Sequence, residues 1–311
     1  MVFLTRLLRV DVCKQSLVTL RKSTGHSFQH CKQALEQTNN DVTQATAWLQ
    51  AEALKKGWTK LERSEAREAQ QGVFAMAGLG SNLVAVTEVN CETDFVARNS
   101  ELRGFAHKIS ETLCQEVRKG NLAAGTNLQT LPWEKLSQLV MDGQSVDEGR
   151  ARLVAKVGEK VGLRQSVIVA AKGDERLAAT CHPDGAFGKY GAVMLYKGGD
   201  DDVAEKICQH IIGMKPMSIG KLEDLNKELS EKDAAQKVQA KSSENAENLN
   251  EDADDHTPQA RPSKDNEHRL LMQDFVFDPD TTVGELLQEH GMQITRFYRF
   301  ECAQEMIENK D

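Results

Sequence analysis

No stretch of these 311 residues is apolar for long enough to cross a bilayer, and the longest apolar run near the start is too short for a secretory signal. An excess of positive charge is also missing. The formal charge is −8, which argues against direct binding to a nucleic-acid backbone. The seven cysteines, at 13, 31, 91, 114, 181, 208 and 302, never fall at metal-ligand or redox spacing, and their number is odd. A disulfide framework is therefore not expected; the pattern suits a reducing compartment where thiols act as small buried hydrophobes. Catalytic signatures are missing too. The Gly188-Lys189 and Gly220-Lys221 pairs are followed by Tyr190 and Leu222 rather than Ser or Thr, so no phosphate-binding loop is present. Gly78-x-Gly80 has Leu83 where a third glycine is needed, and a second strand follows it instead of a helix. No HExxH, GxSxG or cysteine-histidine cluster occurs. These gaps predict a chain without its own nucleotide site, metal or cofactor, and without bond-making chemistry.

What is present centres on Val89 to Asn99. The run Leu83 to Val89 alternates and predicts a half-buried strand. Leu102, Phe105, Ala106, Ile109 and Leu113 recur at helical spacing, so a helix is predicted to start near Asn99 or Ser100, both good N-caps. Thr93, Asp94, Phe95 and Val96 then fall on the connection between them, flanked by Asn90, Cys91, Glu92 and Arg98. Residue chemistry alone leaves three readings of this stretch. Phe95 folds back as a staple under its own helix, or it points outward to be received by another protein, or Glu92 and Asp94 act as a carboxylate pair.

The rest of the chain predicts an α+β protein in several parts. Residues 1–14 carry Phe3, Leu4, Leu7 and Leu8 on one helical face and Arg6 and Arg9 on another, which resembles a mitochondrial presequence, although Asp11 is against type. Residues 15–57 predict three short helices, striped by Leu17 and Leu20, by Phe28, Cys31, Ala34 and Leu35 behind a Ser27 cap, and by Val42, Ala45, Trp48, Leu49 and Ala53. Residues 58–71 read as a charged linker. Residues 72–165 and 166–220 each follow a sheet-then-helix plan, without visible repetition of sequence. His182 is expected on a turn between strands. Residues 221–267 are acidic and poor in aromatics, the composition of a disordered insertion. Residues 268–303 complete the second sheet, and 304–311 form a tail.

The segment EVNCETDFVARN, at Glu88 to Asn99, resembles the signature of elongation factor Ts, the guanine-nucleotide exchange factor of elongation factor Tu. Further segments are similar to the same family: TG…CKQALEQTNNDVTQATAWL, LVAKVGEKVGLRQ, HPDGAFGKYGAVMLY, GMKPMSIG and FVFDPDTTVGELLQEHGMQITRFYRFE. KKGWTK, at Lys55 to Lys60, looks more like the animal mitochondrial members than the bacterial ones. The resemblance implies a UBA-like three-helix N-terminal domain and a core of two similar antiparallel sheet-plus-helix subdomains. It further implies a mitochondrial elongation factor Tu as partner, in the mitochondrial matrix. Thr93, Asp94, Phe95 and Val96 would be the tip pushed in beside the partner's magnesium site, and Ser27, Phe28 and His182 would be further contacts. The glycine-rich run that the family carries after its last Phe-Glu is absent; Cys302 to Glu305 stand there instead. An adaptor built on the three-helix domain is the rival reading, and it leaves Cys91 to Asn99 without a task.

Overall fold

The computed structural model describes residues 11–63, 67–78, 82–123, 128–227, 230 and 267–309. The predicted presequence-like start up to residue 10, the hairpin turn at 79–81 and residues 231–266 of the predicted insertion lie outside the described residues. The chain forms two compact units. One holds the described residues of Met1–Ala75, Val86–Leu122 and Thr130–Val167; the other holds those of Met76–Ala85, Ala123–Gln129 and Ile168–Asp311.

The first unit begins with helices α1 (Lys14–Thr24), α2 (Phe28–Gln37) and α3 (Val42–Arg63). Gly25 ends α1 in the left-handed region, at φ 68°, and Ser27 caps α2 by accepting from His30 N. Asn39 and Asn40 turn the chain through positive φ, and Asp41 Oδ1 accepts from Gln44 N at the start of α3. Leu17, Leu20, Cys31, Ala34, Leu35, Ala45 and Leu49 fill the space between the helices. Phe28 departs from the predicted stripe. It is the first residue of α2 and is half exposed. Nor does α3 stop at residue 57. It runs on to Arg63, with Gly57 buried against the backbone of Ala151.

Strands β1 (Gln71–Ala77) and β2 (Leu83–Cys91) follow, then α4 (Asp94–Ala97), α5 (Ser100–Arg118), β3 (Leu128–Thr130), α6 (Trp133–Gln138), β4 (Val140–Met141), β5 (Gln144–Ser145), α7 (Val146–Val157) and β6 (Val161–Ala170). β1, β2 and β6 lie side by side in that order. β2 is buried along all nine residues, not on alternate ones as predicted. Each of its polar side chains makes at least one hydrogen bond, although Asn90 Oδ1 has no partner among the described residues. Thr87 Oγ1 lies 2.9 Å from Ser110 Oγ and 3.2 Å from Ser166 Oγ, while the Glu88 oxygens accept from Asn90 Nδ2 and Gln165 Nε2, each at 2.8 Å. A Ser145–Glu148 capping box opens α7, and Gly158 closes it at φ 85°. That early stop places Val161, expected on the helix stripe, at the start of β6 instead.

The second unit contains β7 (Arg176–Pro183), β8 (Phe187–Lys197), α8 (Asp201–Met214), α9 (222–227), a 3-10 turn at Leu270–Met272, β9 (Asp274–Phe275), β10 (Asp278–Thr282), α10 (Val283–Glu289), β11 (Gln293–Glu301) and β12 (Ile307–Glu308). β7, β8, β11 and β12 pair antiparallel in that order. β12 therefore draws part of the predicted tail into the sheet. Ala192, Met194, Tyr196, Ile207, Ile211, Phe275 and Phe297 belong to its core. His182 is on β7, paired with Tyr190, because pairing with β8 persists to Pro183 and leaves the turn to 184–186.

His210 is fully buried in α8. Its Nδ1 accepts from Val276 N at 3.2 Å, so Nε2, 3.0 Å from Gln273 Oε1, carries the proton of a neutral ring. Burial lowers its pKa to about 4. The unfolded chain binds this proton near pH 6.5 and the folded chain does not, so stability is full above that pH and falls as the pH drops from about 6.5 towards 4. Between pH 7.5 and 5 the expected loss from this residue is about 2 kcal/mol. Urea unfolding of the wild type and His210→Gln at both pH values checks it; the variant should show the smaller pH dependence.

Candidate functional site

The strand-to-helix connection takes its shape from caps at both ends. Thr93, extended at φ −121° and ψ 155°, is the N-cap of α4, and its Oγ1 accepts from Val96 N at 3.4 Å. Asn99 Oδ1 accepts from Glu101 N at 2.8 Å and starts α5 where the sequence predicts. Between the two caps is a single helical turn, Asp94–Ala97, which periodicity alone did not reveal because four residues are too few to show a period. Ala97 is buried beneath it.

This turn presents Phe95, since its backbone is tied on one side and little among the described residues covers the ring. Phe95 is 82% exposed, more than any other large apolar side chain among the described residues. The staple reading therefore fails. Asp94 is exposed beside it, 3.4 Å from Arg98 Nη2 in a solvated pair that contributes little to stability. Val96 is half-buried. Asn90 and Cys91 form the buried end of β2. The Cys91 thiol donates to Thr93 O at 3.1 Å, and burial, with Glu159 next in effect, pushes its pKa up to about 12. It is a protonated, inert group at neutral pH and serves as part of the mount.

Glu92 does not form a pair with Asp94. Its Oε1 accepts from Lys160 N at 2.8 Å and lies 3.3 Å from Arg67 Nη1. The Lys160 N–H, with Arg67 second, holds its carboxyl below the usual range. A carboxylate committed to two donors is a poor proton carrier at neutral pH, and the carboxylate-pair reading is not supported. Among the described residues no group of three or more His, Cys, Asp or Glu side chains could hold a metal ion, and no helix is long and apolar enough to cross a membrane.

Of the further expected contacts, Ser27 and Phe28 lie at the start of α2, and no hydrogen bond among the described residues ties them to Thr93–Val96. His182 lies on β7 of the second unit. Sequence reading missed Arg67, Glu159 and Lys160. Glu159 accepts from Thr93 N at 3.0 Å and from Thr93 Oγ1 at 2.7 Å, 66 residues away in sequence. Nothing in the local pattern around Glu159 signals that role.

The comparisons with known proteins cover nearly the whole chain. Residues 92–304 match the family described as Elongation factor TS, and residues 2–59 match the one described as Elongation factor Ts, mitochondrial, N-terminal. The chain is 33% identical over 307 residues to Elongation factor Ts, mitochondrial, of Aedes aegypti, covering 94% of this chain and 89% of the relative. It is 31% identical to the protein of that name from Salmo salar, with 94% and 86% covered, and 32% identical to the one from Drosophila melanogaster, also with 94% and 86% covered.

Proposed function

The chain belongs to the elongation factor Ts family, nucleotide exchange factors for elongation factor Tu in translation and not enzymes, and from that premise we propose that its Thr93–Val96 turn is what drives GDP out. One observation carries this reading. A phenylalanine left 82% exposed on a pinned single-turn helix is poorly used in water and well placed to be buried by a partner.

A GTPase of this type holds GDP through the backbone of its phosphate loop and a magnesium ion ligated by a hydroxyl and an acidic side chain. A ring forced between the elements that carry those ligands weakens the nucleotide. In this reading Phe95 is the wedge, Asp94 supplies a charge that competes with groups supporting the metal, and Thr93 and Val96 fix the shape of the turn. Asn90, Cys91, Glu92 and Arg98 support it from behind. Ser27, Phe28 and His182 add contact area, so the tip need not provide all the affinity. The finer architecture, a UBA-like domain and two similar core halves, belongs to the same proposal. So does the compartment: the relatives named above are mitochondrial proteins, and the matrix is where this factor would meet its GTPase.

Linkage sets the test. If the factor weakens GDP by some ratio, GDP weakens the factor by the same ratio. A complex of this chain with nucleotide-free elongation factor Tu should dissolve as GDP or GTP is titrated in, followed by gel filtration or calorimetry. A stable ternary complex, with nucleotide and factor binding independently, would contradict the wedge.

A further inference from the structure

The turn that carries Phe95 is too short to hold its own shape. Four residues close barely one hydrogen-bonded turn, and an isolated turn of that length does not persist in water. Its rigidity has to come from outside, and two residues at the far end of α7 provide it. Gly158, in the left-handed region at φ 85°, ends that helix. The residue that follows, Glu159, directs both carboxylate oxygens at Thr93, with Oε2 3.0 Å from the backbone N and Oε1 2.7 Å from the hydroxyl. The next residue, Lys160, gives its N–H to Glu92 Oε1 at 2.8 Å. Residues 92–93 and 159–160 therefore exchange three hydrogen bonds, each with a carboxylate as acceptor, the stronger kind.

The Thr93 hydroxyl links this brace to the helix. It has one proton and two lone pairs. With the proton directed at Glu159, a lone pair is left to receive Val96 N, 3.4 Å away. The Thr93 carbonyl is occupied as well, by the Cys91 thiol at 3.1 Å and by Ala97 N at 3.2 Å. Every polar group of Thr93 is engaged, and Glu159 sets the direction of the one that caps the turn. Thr93 alone has the chemistry of an ordinary N-cap; with Glu159 attached it fixes where α4 points.

We infer that Glu159 is a positioning residue for nucleotide exchange, acting through Thr93 to aim Phe95. This rests on the docking role proposed above for Phe95. Glu159 itself need not touch the partner. Without its carboxylate the turn samples several directions, and the partner must select the productive one, so the fraction of competent tips falls and the rate with it. Initial encounter, which depends on other surfaces, is unaffected.

The test uses the full-length chain and stopped-flow release of a fluorescent GDP from elongation factor Tu across a range of factor concentrations. Glu159→Ala should lower the maximal release rate roughly tenfold, with the half-saturating concentration kept within about twofold. Glu159→Gln, which retains one acceptor oxygen, should fall between the two. Because Glu159 acts by aiming Phe95, the double variant Glu159→Ala/Phe95→Ala should be no slower than Phe95→Ala alone. Hydrogen exchange supplies a local readout: Thr93 and Val96 amides should lose protection in Glu159→Ala while β2 amides keep theirs.

A wild-type maximal rate in Glu159→Ala overturns the inference. So does a loss that adds to that of Phe95→Ala, or protection lost evenly over β2 and α5, which would make Glu159 merely structural. If Phe95→Ala alone exchanges at the wild-type rate, the docking reading falls and this inference falls with it. If Phe95→Ala is slow and Glu159→Ala is not, only the brace is wrong.

Discussion

Replacing Phe95 by alanine should slow GDP release from elongation factor Tu by about tenfold or more while leaving the melting temperature of the factor unchanged. Both halves of this expectation start from the 82% exposure of Phe95, the first together with its proposed docking role. A ring with so little contact inside its own chain contributes little to folding, so its removal cannot act through loss of structure. Burial of a phenylalanine in a partner pocket contributes about 2 kcal/mol, and each 1.4 kcal/mol absent from the exchange barrier is about a factor of ten in rate. Phe95→Leu keeps part of the apolar volume and should recover part of the rate. Asp94→Asn should have the smaller effect, since Asp94 already shares its charge with Arg98 at 3.4 Å. Stopped-flow release with each variant, beside a thermal melt of the same preparations, decides the matter. A slow variant that also melts early would point to a structural role instead.

Gly57→Ala should produce a large loss of stability. A Cβ at this position would lie 1.8 Å from Ala151 O and 2.5 Å from Ala151 C, both backbone atoms of α7. Neither can rotate away, so α3 and α7 would have to separate. We expect a cost of about 3 kcal/mol and a midpoint lowered by roughly 10 °C. Gly104 is the matched control. It too lies inside a helix, α5, but a Cβ there would meet nothing within 4 Å. Gly104→Ala should therefore stabilise by about 0.5 kcal/mol through helix propensity and reduced freedom of the unfolded chain. Thermal melts with opposite signs for the same substitution would isolate close helix approach as the cause; equal shifts would refute it.

Those two positions also show how far the sequence could be read. Thr93 to Val96 were legible because their neighbours are regular: a run of β-formers stops at Cys91, and a helical stripe starts behind Asn99. A bulky ring between two such elements stands out without coordinates. Glu159 had no such frame. It is one charged residue among several near a helix end, and only the fold brings it to Thr93. The boundary of the three-helix region was placed too early, at 57, for a related reason. A glycine at the apparent end of a stripe looks like a terminator, yet here it is a mid-helix contact point, and the partner that demands it is almost a hundred residues away. β2 was read as half-buried because its apolar run from Leu83 to Val89 is broken by the polar Thr87 and Glu88. Ser110, Ser166 and Gln165 satisfy Thr87 and Glu88 from other elements, and single-strand patterning does not register such help. Local rules found the elements and the tip, and they failed where two distant segments meet.

The enclosure of β2 has a mechanical meaning. A blade transmits force only if its handle does not bend, and the strand behind the proposed wedge is buried along its full length. Under the wedge role proposed for Phe95, load placed on its ring would run back into that buried strand. The yielding surface is then on the other molecule, and the free and bound forms of residues 83–99 should superpose closely.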